Sequence, residues 1–371
     1  MLGLCNMTAN APPTYVVLIK SKDGTNTYEF RGVSDIAWEW YENDVGRCVF
    51  KIPANDRILN STAIPANTFQ EILIFRNGTL IWQGFVAYVF DVVDSCTIYG
   101  LTFTEFLKWY RDGYKTVYTS KKIGSEFISP IYDIIAAVDN SVFARITKGT
   151  IQDPYVTSTS TAKTVTKTVY DEPFFELLQD MVAISRADSP VGAWKQDSVF
   201  EITFSETAPT FNFWRDVGTD RSDVVFQLDS EIVDFSYGTD FRFVQNDVKG
   251  FAVVTGPSVI TSSQVDTTSV TSYYRRQLSP YYGSLTGQSQ LDEKSKDFLQ
   301  TYKDPTRHFS ITLAAGMTPF SGYNMGDGVK VRISRGRINL DEFFRVVGME
   351  VQLDNKGVEI VKPVLERKRT D

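Results

Sequence analysis

The chain has 371 residues, of which 42% are hydrophobic and 22% charged, with a formal net charge of −7. That length is too great for one ordinary core and predicts two to four domains. The acidic balance argues against sequence-specific binding of DNA, which rests on a basic footprint.

The 26 Phe and 18 Tyr, beside many Val, Ile and Thr, favour strands, because branched and flat side chains pack well on a pleated surface. The N-terminus has no basic patch and no apolar run of signal-peptide length. No stretch approaches the roughly 18 apolar residues that span a bilayer, so a protein folded in a cytoplasm is expected. Cys5, Cys48 and Cys96 are odd in number and far apart, which points away from a disulfide framework and from metal-ligand spacing. Without a secretory signal, the N-x-S/T matches at Asn6, Asn60 and Asn77 read as chance. Charge is uneven along the chain. Residues 1–107 hold 7 basic and 11 acidic groups, residues 108–197 hold 11 of each, residues 198–305 hold 9 and 15, and residues 306–371 hold 11 and 8.

In chain order, the first hundred residues read as short strands. Thr14–Lys20 is an apolar run closed by Lys22-Asp23-Gly24, and Thr27–Phe30 alternates. Ile36–Tyr41 carries large rings, and Gly46–Pro53 ends at a proline that cannot donate to a ladder. Ile72–Arg76 and Leu80–Gly84 flank Asn77-Gly78, a hairpin signal because both residues tolerate positive φ. Gly84–Val89 and Cys96–Leu101 complete a set suited to a barrel or sandwich. A period near 3.6 through Phe127, Ile128, Ile131, Ile134 and Ile135 predicts a helix over 124–137. A second helix is predicted over 172–187, with Asp171 as N-cap, Pro173 in the first turn and Phe174, Leu177, Leu178, Met181 and Val182 as its apolar stripe. Between them, Thr157–Thr161 reads as a loop leading into a strand at Thr164–Val169.

Strands resume at Val199–Phe204, Val224–Leu228, Ile232–Tyr237 and Val248–Thr255. Residues 257–287 are rich in Ser, Thr, Gly and Gln and read as a long excursion, followed by one polar helix over Ser289–Tyr302. Phe309–Leu313, Gly328–Ile333, Phe343–Val351 and Val358–Pro363 are the last strands, the final pair joined by a hairpin at Asp354-Asn355-Lys356-Gly357.

Motifs for chemistry are sparse. His308 is the single histidine, so any Ser-His-Asp or Cys-His pair would have to use it, and no nucleophile signature lies nearby. Asp216, Asp220, Asp223 and Asp229 are candidates for an acid/base pair, but their setting reads as a turn-rich loop, and calcium-loop spacing is missing. Gly326-Asp327-Gly328 lacks the helix that a phosphate cradle needs. Trp38, Trp40, Tyr273, Tyr274, Tyr281 and Tyr282 are candidates for stacking on sugars or for filling protein interfaces. Beyond Arg275-Arg276 no basic residues interleave with them, which disfavours nucleic acid. Arg367-Lys368-Arg369 reads as a solvated end or a partner contact. The expected site is therefore empty of catalytic, cofactor-binding and metal-binding residues.

Two stretches carry a resemblance. Trp40 to Gly46 with Phe50-Lys51-Ile52-Pro53, then Ile72–Arg76, Asn77-Gly78 and Trp82–Val86, is one. Asn324 to Ile333, Phe344 to Val351 and Asp354–Gly357 form the other. In this order they resemble the tail-tip or baseplate hub proteins of long-tailed bacteriophages, the group that includes siphophage minor tail proteins. The resemblance implies a mainly β chain with α+β insertions: two tube-type β-barrel domains plus two smaller modules. The parts are a barrel at 1–107, an α+β module with two helices at 108–197, a second barrel at 198–256 and 306–371, and an excursion with one helix at 257–305. It also implies a non-enzymatic homotrimer with pseudo-six-fold symmetry in the virion, assembled in the host cytoplasm. Such a trimer joins the hexameric tail tube or distal tail ring to the tip. Its partners are the distal tail or tail tube protein, the tape-measure protein and other tail-tip or receptor-binding proteins, and genomic DNA passes through an acidic lumen without specific binding. The alternative is a carbohydrate-binding receptor module using Trp38 and Tyr281, and a third reading is a glycan-cleaving enzyme.

Overall fold

The computed structural model describes residues 13–21, 25–59, 70–111, 116–138, 146–154, 161–186, 198–215, 217–253, 258–283, 285, 287–314, 322–354 and 356–367. The fold is mainly β with small helical insertions. Among these residues no helix is long and apolar enough to cross a membrane.

Seven strands come first: β1 (Tyr15–Lys20), β2 (Thr27–Phe30), β3 (Ser34–Tyr41), β4 (Arg47–Pro53), β5 (Glu71–Arg76), β6 (Thr79–Asp91) and β7 (Ser95–Thr102). They pair antiparallel in the order β2-β1-β5-β6-β7-β4-β3. Alternation puts Tyr15, Val17 and Ile19 of β1 and Cys48, Phe50 and Ile52 of β4 inside. Asn77 and Gly78 turn β5 into β6 with φ of 50° and 80°, the backbone that a two-residue hairpin requires. The two strands read from Leu80 to Val89 run on as the single long β6.

The next stretch holds α1 (Phe106–Trp109), β8 (Thr116–Lys122), a π-helical turn Ile123–Ile128 leading into α2 (Ser129–Val138), β9 (Thr147–Ile151), β10 (Thr164–Val169) and α3 (Phe174–Arg186). It is followed by β11 (Val199–Thr203) and β12 (Thr210–Trp214). β8 pairs with β10, and β12 lies between β11 and a parallel β9. The apolar stripes predicted for both helices are buried in a second core, where Phe127, Ile131, Leu177, Leu178 and Met181 meet Phe200 and Phe211, except for Ile134, which is exposed. Asp171 does not cap α3: it sits at φ 50° beside Arg111, and the Pro173 carbonyl accepts the Leu177 N–H that opens the helix. Residues 157–160 of the predicted Thr-rich loop lie outside the described residues.

The C-terminal stretch contributes β13 (Asp220–Gln227), β14 (Ile232–Asp240), β15 (Asp247–Val253), β16 (Val259–Val265), α4 (Thr267–Tyr273), β17 (Gln277–Leu278), α5 (Gln288–Tyr302), β18 (Thr306–Leu313), β19 (Gly328–Arg335), β20 (Ile338–Leu353) and β21 (Glu359–Arg367). Within the predicted excursion the structure differs from the sequence reading. A full strand, β16, pairs with β15, and a second short helix, α4, is capped by Asp266, whose side chain accepts the Ser269 N–H. The strand carries few apolar residues because Ser262 is its buried position. β14 and β18 form a separate ribbon.

The two ends of the chain share one eleven-stranded sheet. Ile338 to Arg345 of β20 pair with β19, while Gly348 to Gln352 pair with β3, and β21 lies along the other side of β20. One apolar core follows, in which Trp38, Phe50, Ile72 and Trp82 cluster with Phe226, Val331, Phe344, Met349 and Val361.

Candidate assembly surfaces

Buried polar contacts fix the seam between the two strand sets. Arg345 Nη2 lies 2.9 Å from Glu42 Oε2, with side chains 1% and 3% exposed, and the Glu42 N–H donates to the Val347 carbonyl. The Asp327 carboxylate accepts the N–H groups of Thr219 and Asn324, each at 2.8 Å. The Asn324–Gly328 motif is thus a loop clamp. Farther along the sheet, Glu359 accepts two guanidinium bonds from Arg76 at 2.6 and 2.8 Å and the Tyr15 hydroxyl at 2.6 Å. Burial, reinforced by Glu359, pushes the Tyr15 phenol well above its ordinary value. It therefore stays a neutral donor.

On the opposite face of the sheet the pairings place Tyr88, Tyr99, Val49, Ala37, Gln352 and Ile360 in one row across six strands. Ala37 lines a hollow of about 360 Å³ that mixes apolar Val49 and Ile360 with Glu39, Glu350, Arg47 and Lys362. Glu39 and Glu350 stand at its rim, each within 3.0 Å of the Tyr41 hydroxyl. One phenolic proton thus serves two carboxylates. Burial pushes the Glu39 carboxyl up, opposed by Tyr41 and Arg47 and reinforced by Glu350 and Asp44. Beside the hollow, the exposed Tyr88 ring stacks on Phe90 and meets Tyr99 at a tilt.

A buried charge network joins β10, α3 and α5. Lys167 Nζ, fully buried, lies 2.6 Å from Asp180 and 2.9 Å from Glu172. Lys294 of α5 binds the other Asp180 oxygen, and Lys163 reaches Glu293 at 3.4 Å. Burial would raise Asp180, but Lys167 and Lys294 outweigh it and hold the carboxyl below its ordinary value. Burial would likewise lower Lys167, but Asp180 and Glu172 hold it above its own. No motif or spacing in the sequence marks this network. The signal was Lys167 sharing the inward face of β10 with Val165 and Val169.

The six candidate aromatics differ in their settings. Trp38 is 2% exposed because it shares the inward face of β3 with Ile36, and Trp40 packs on Phe204 at 4.9 Å between centroids. Tyr282 lies beneath Lys294, and Tyr273 faces Phe241. Tyr274 and Tyr281 are exposed. Asp220 and Asp223 lie on β13, where Arg221 brackets Asp223, and Asp229 turns the chain at φ 67°. Asp216, Cys5, Lys368 and Arg369 lie outside the described residues. His308 pairs in β18 opposite Gly238, and the Arg367 backbone pairs in β21 opposite Phe344. Cys48 and Cys96 are buried free thiols. Among the described residues no three His, Cys, Asp or Glu side chains gather as a metal site would need.

No family model matches the chain, and no curated protein does. Among solved structures it is similar to prophage tail protein gp18 of Listeria monocytogenes, at 12% identity and a TM-score of 0.56 over 96% of this chain and 95% of that one. It is similar to the 43 kDa tail protein of prophage MuSo2 from Shewanella oneidensis, at 12% identity and a TM-score of 0.63 over 96% and 100%. The tail protein of Neisseria meningitidis matches at 12% identity and a TM-score of 0.61 over 95% and 97%. The likeness runs from end to end in both directions, and this chain has the fold of the prophage tail proteins.

Proposed function

We propose that this chain is the structural hub of a phage tail tip. It assembles as a homotrimer that joins the hexameric tube or distal tail ring to the tip and forms or closes the channel through which DNA passes. The observation that carries the reading is the end-to-end match with tail proteins. The joined sheet supports it physically. The set β2-β1-β5-β6-β7-β4-β3 and the set β13-β19-β20-β21 stand for two tube-type barrels fused edge to edge, so three copies would present six to a hexameric ring. The α+β module beginning at 108 and the unit around α5 are then the two outer modules. Tube, distal tail, tape-measure and receptor-binding proteins are its partners, and its role in the virion is non-enzymatic. An acidic lumen, drawn from the excess of carboxylates in 1–107 and 198–305, would keep DNA phosphates from sticking. The carbohydrate reading loses Trp38 to the core. Light scattering tests the hub: a mass near three times 41.9 kDa is expected. A monomer at micromolar concentration that also fails to bind tube or distal-tail protein overturns the proposal.

A further inference from the structure

Two stretches of the chain repeat one strand pattern. β3, β4, β5, β6 and β7 follow one another, and β14, β18, β19, β20 and β21 follow in the same order, with the outer unit inserted between β14 and β18. β5 and β19 each turn through a positive-φ glycine, Gly78 at 80° and Gly336 at 59°, into a long strand of 13 residues in β6 and 16 in β20. The first half of that long strand pairs with β5 or β19, and the second half with β7 or β21. Both long strands slip register by one residue near the change of partner, at Ala87 and at Val347. Such a bulge is a built feature of a strand. The residue before each is held alike: the Val86 N–H donates to the Gln70 carbonyl at 2.8 Å, and the Val346 N–H to the Asp327 carbonyl at 2.9 Å. β3 pairs with β4 as β14 pairs with β18, and β4 pairs with β7 while β18 lies beside β21.

The two repeats differ at one edge. Past its bulge, β20 is covered by β3, from Gly348 opposite Tyr41 to Gln352 opposite Ala37, and the Val347 carbonyl accepts the Glu42 N–H. Gly348, Met349 and Val351 are buried there. The matching edge of β6 carries no strand among the described residues, and Tyr88 is 57% and Phe90 50% exposed. β14, the counterpart of β3, is likewise paired on one side alone among the described residues, with β18. One copy thus holds one filled joint and the two separate halves of a second. An open edge is a row of unpaired N–H and C=O groups that takes up another strand, and the filled joint shows which strand fits.

We propose that β14 of one copy adds antiparallel to the Ala87–Asp91 edge of β6 in the next, repeating between copies the joint that β3 and β20 make within one. The side chains of the two edges suit each other on both faces. On the inner face Val89 and Phe235 are each half-buried at the border of the large core, and the joint completes their burial. On the outer face β14 presents Ser236 and Gly238, small enough for the Tyr88 and Phe90 rings to lie over them, as aromatic rings cover glycine across a ladder. The contact is head-to-tail, which closes into a ring when the rotation allows. Three copies then carry three internal joints and three between copies, and neither edge is left open. This inference rests on the homotrimer reading above.

Two measurements on the full chain test it. Sedimentation compares wild type with Phe90→Asp, which puts a charge on an edge that is exposed in the single copy. Diluted to monomer, the two are expected to melt alike, while the dissociation constant of the variant rises about tenfold or more. Second, a photo-reactive phenylalanine at position 90, in a mixture of isotopically light and heavy chains, is expected to link to a β14 peptide of another copy. The same residue at position 350 is the internal control, since its link to β3 stays within one chain. A trimer unchanged by Phe90→Asp, or links from position 90 to surfaces other than β14, overturns the joint and leaves the hub standing. A monomeric wild type that still binds tube protein overturns the joint alone. One that binds neither tube nor distal-tail protein overturns both.

Discussion

Truncating Glu359 to alanine tests how firmly the two strand sets are stapled. The carboxylate is 3% exposed and holds Arg76, itself 15% exposed, and the buried Tyr15 hydroxyl. Its loss leaves a guanidinium and a phenol without their acceptor inside the sheet. Removing one partner of a buried pair costs about 3–5 kcal/mol. Tyr15→Phe keeps the Arg76 pair and removes a single charge-assisted bond, at a cost of about 1.5–3 kcal/mol. Unfolding entropy near 2.1 cal/mol/K per residue gives about 780 cal/mol/K if all 371 residues unfold together. A loss of about 4 kcal/mol then lowers Tm by about 5 °C, and more if the cooperative unit is smaller. Calorimetric melts of wild type, E359A, Y15F and the double variant give the cycle. The double variant is expected to melt close to E359A, since the Tyr15 bond is already gone in the single. If E359A melts within a degree of wild type, or the two losses simply add, the three groups do not act as one staple.

The charge network should resist pH across a wide window. The lowered Asp180 contributes stability that is full above its unfolded value and is lost as pH falls through its folded value, below 3.8. The raised Lys167 contributes stability that is full below its unfolded value and is lost as pH rises through its folded value, above 10.5. Hydrogen-exchange protection of α5 is therefore expected to stay flat between about pH 5 and 9, and a mid-range step would contradict the assignment. Lys167→Met should cost about 3–5 kcal/mol in urea melts by leaving Glu172 without this partner and Asp180 with Lys294 alone. Burial pushes both thiols up, Cys48 far above its ordinary range and Cys96 to about 12 with help from Asp91. Iodoacetamide at neutral pH should leave both peptides unmodified until denaturant is added, and rapid labelling of the native protein would refute their inertness. Gly84→Ala places a Cβ onto the Leu101 carbonyl, whereas Gly32→Ala meets nothing within 4 Å. The first should cost about 1–3 kcal/mol and the second almost nothing; equal melts would show that β6 and β7 separate freely.

What the sequence made legible is what local physics dictates. Asn77-Gly78 and Asp354–Gly357 turn as predicted because positive φ is a demand on single residues, met at Asn77, Gly78 and Gly357. The helices through Ile131, Met181 and Leu291 show in the spacing of their buried faces. The pairing of Trp38 with Val351 left no local trace, since either strand could have found another edge. Trp38 itself was misplaced although Ile36 marks the inward face of β3. β16 was hidden because it packs on α5 with a buried serine, so its composition reads as loop. Tyr274 was visible as an aromatic and not as a residue at positive φ, which appears only when the backbone is seen.

The molecule uses two kinds of joint, and their energetics differ. The two strand sets share ladder hydrogen bonds and a large apolar core, terms that contribute directly to stability. The unit of β15, β16 and α5 has a core of Ala252, Leu285 and Leu291 with Ile260 and Tyr282 beside it, and its tie to α3 is the Lys167, Asp180 and Lys294 network. Buried ion pairs fix geometry well but add little net free energy, because desolvation offsets attraction. Among the described residues, the outer unit is therefore expected to open at a lower free energy than the shared sheet.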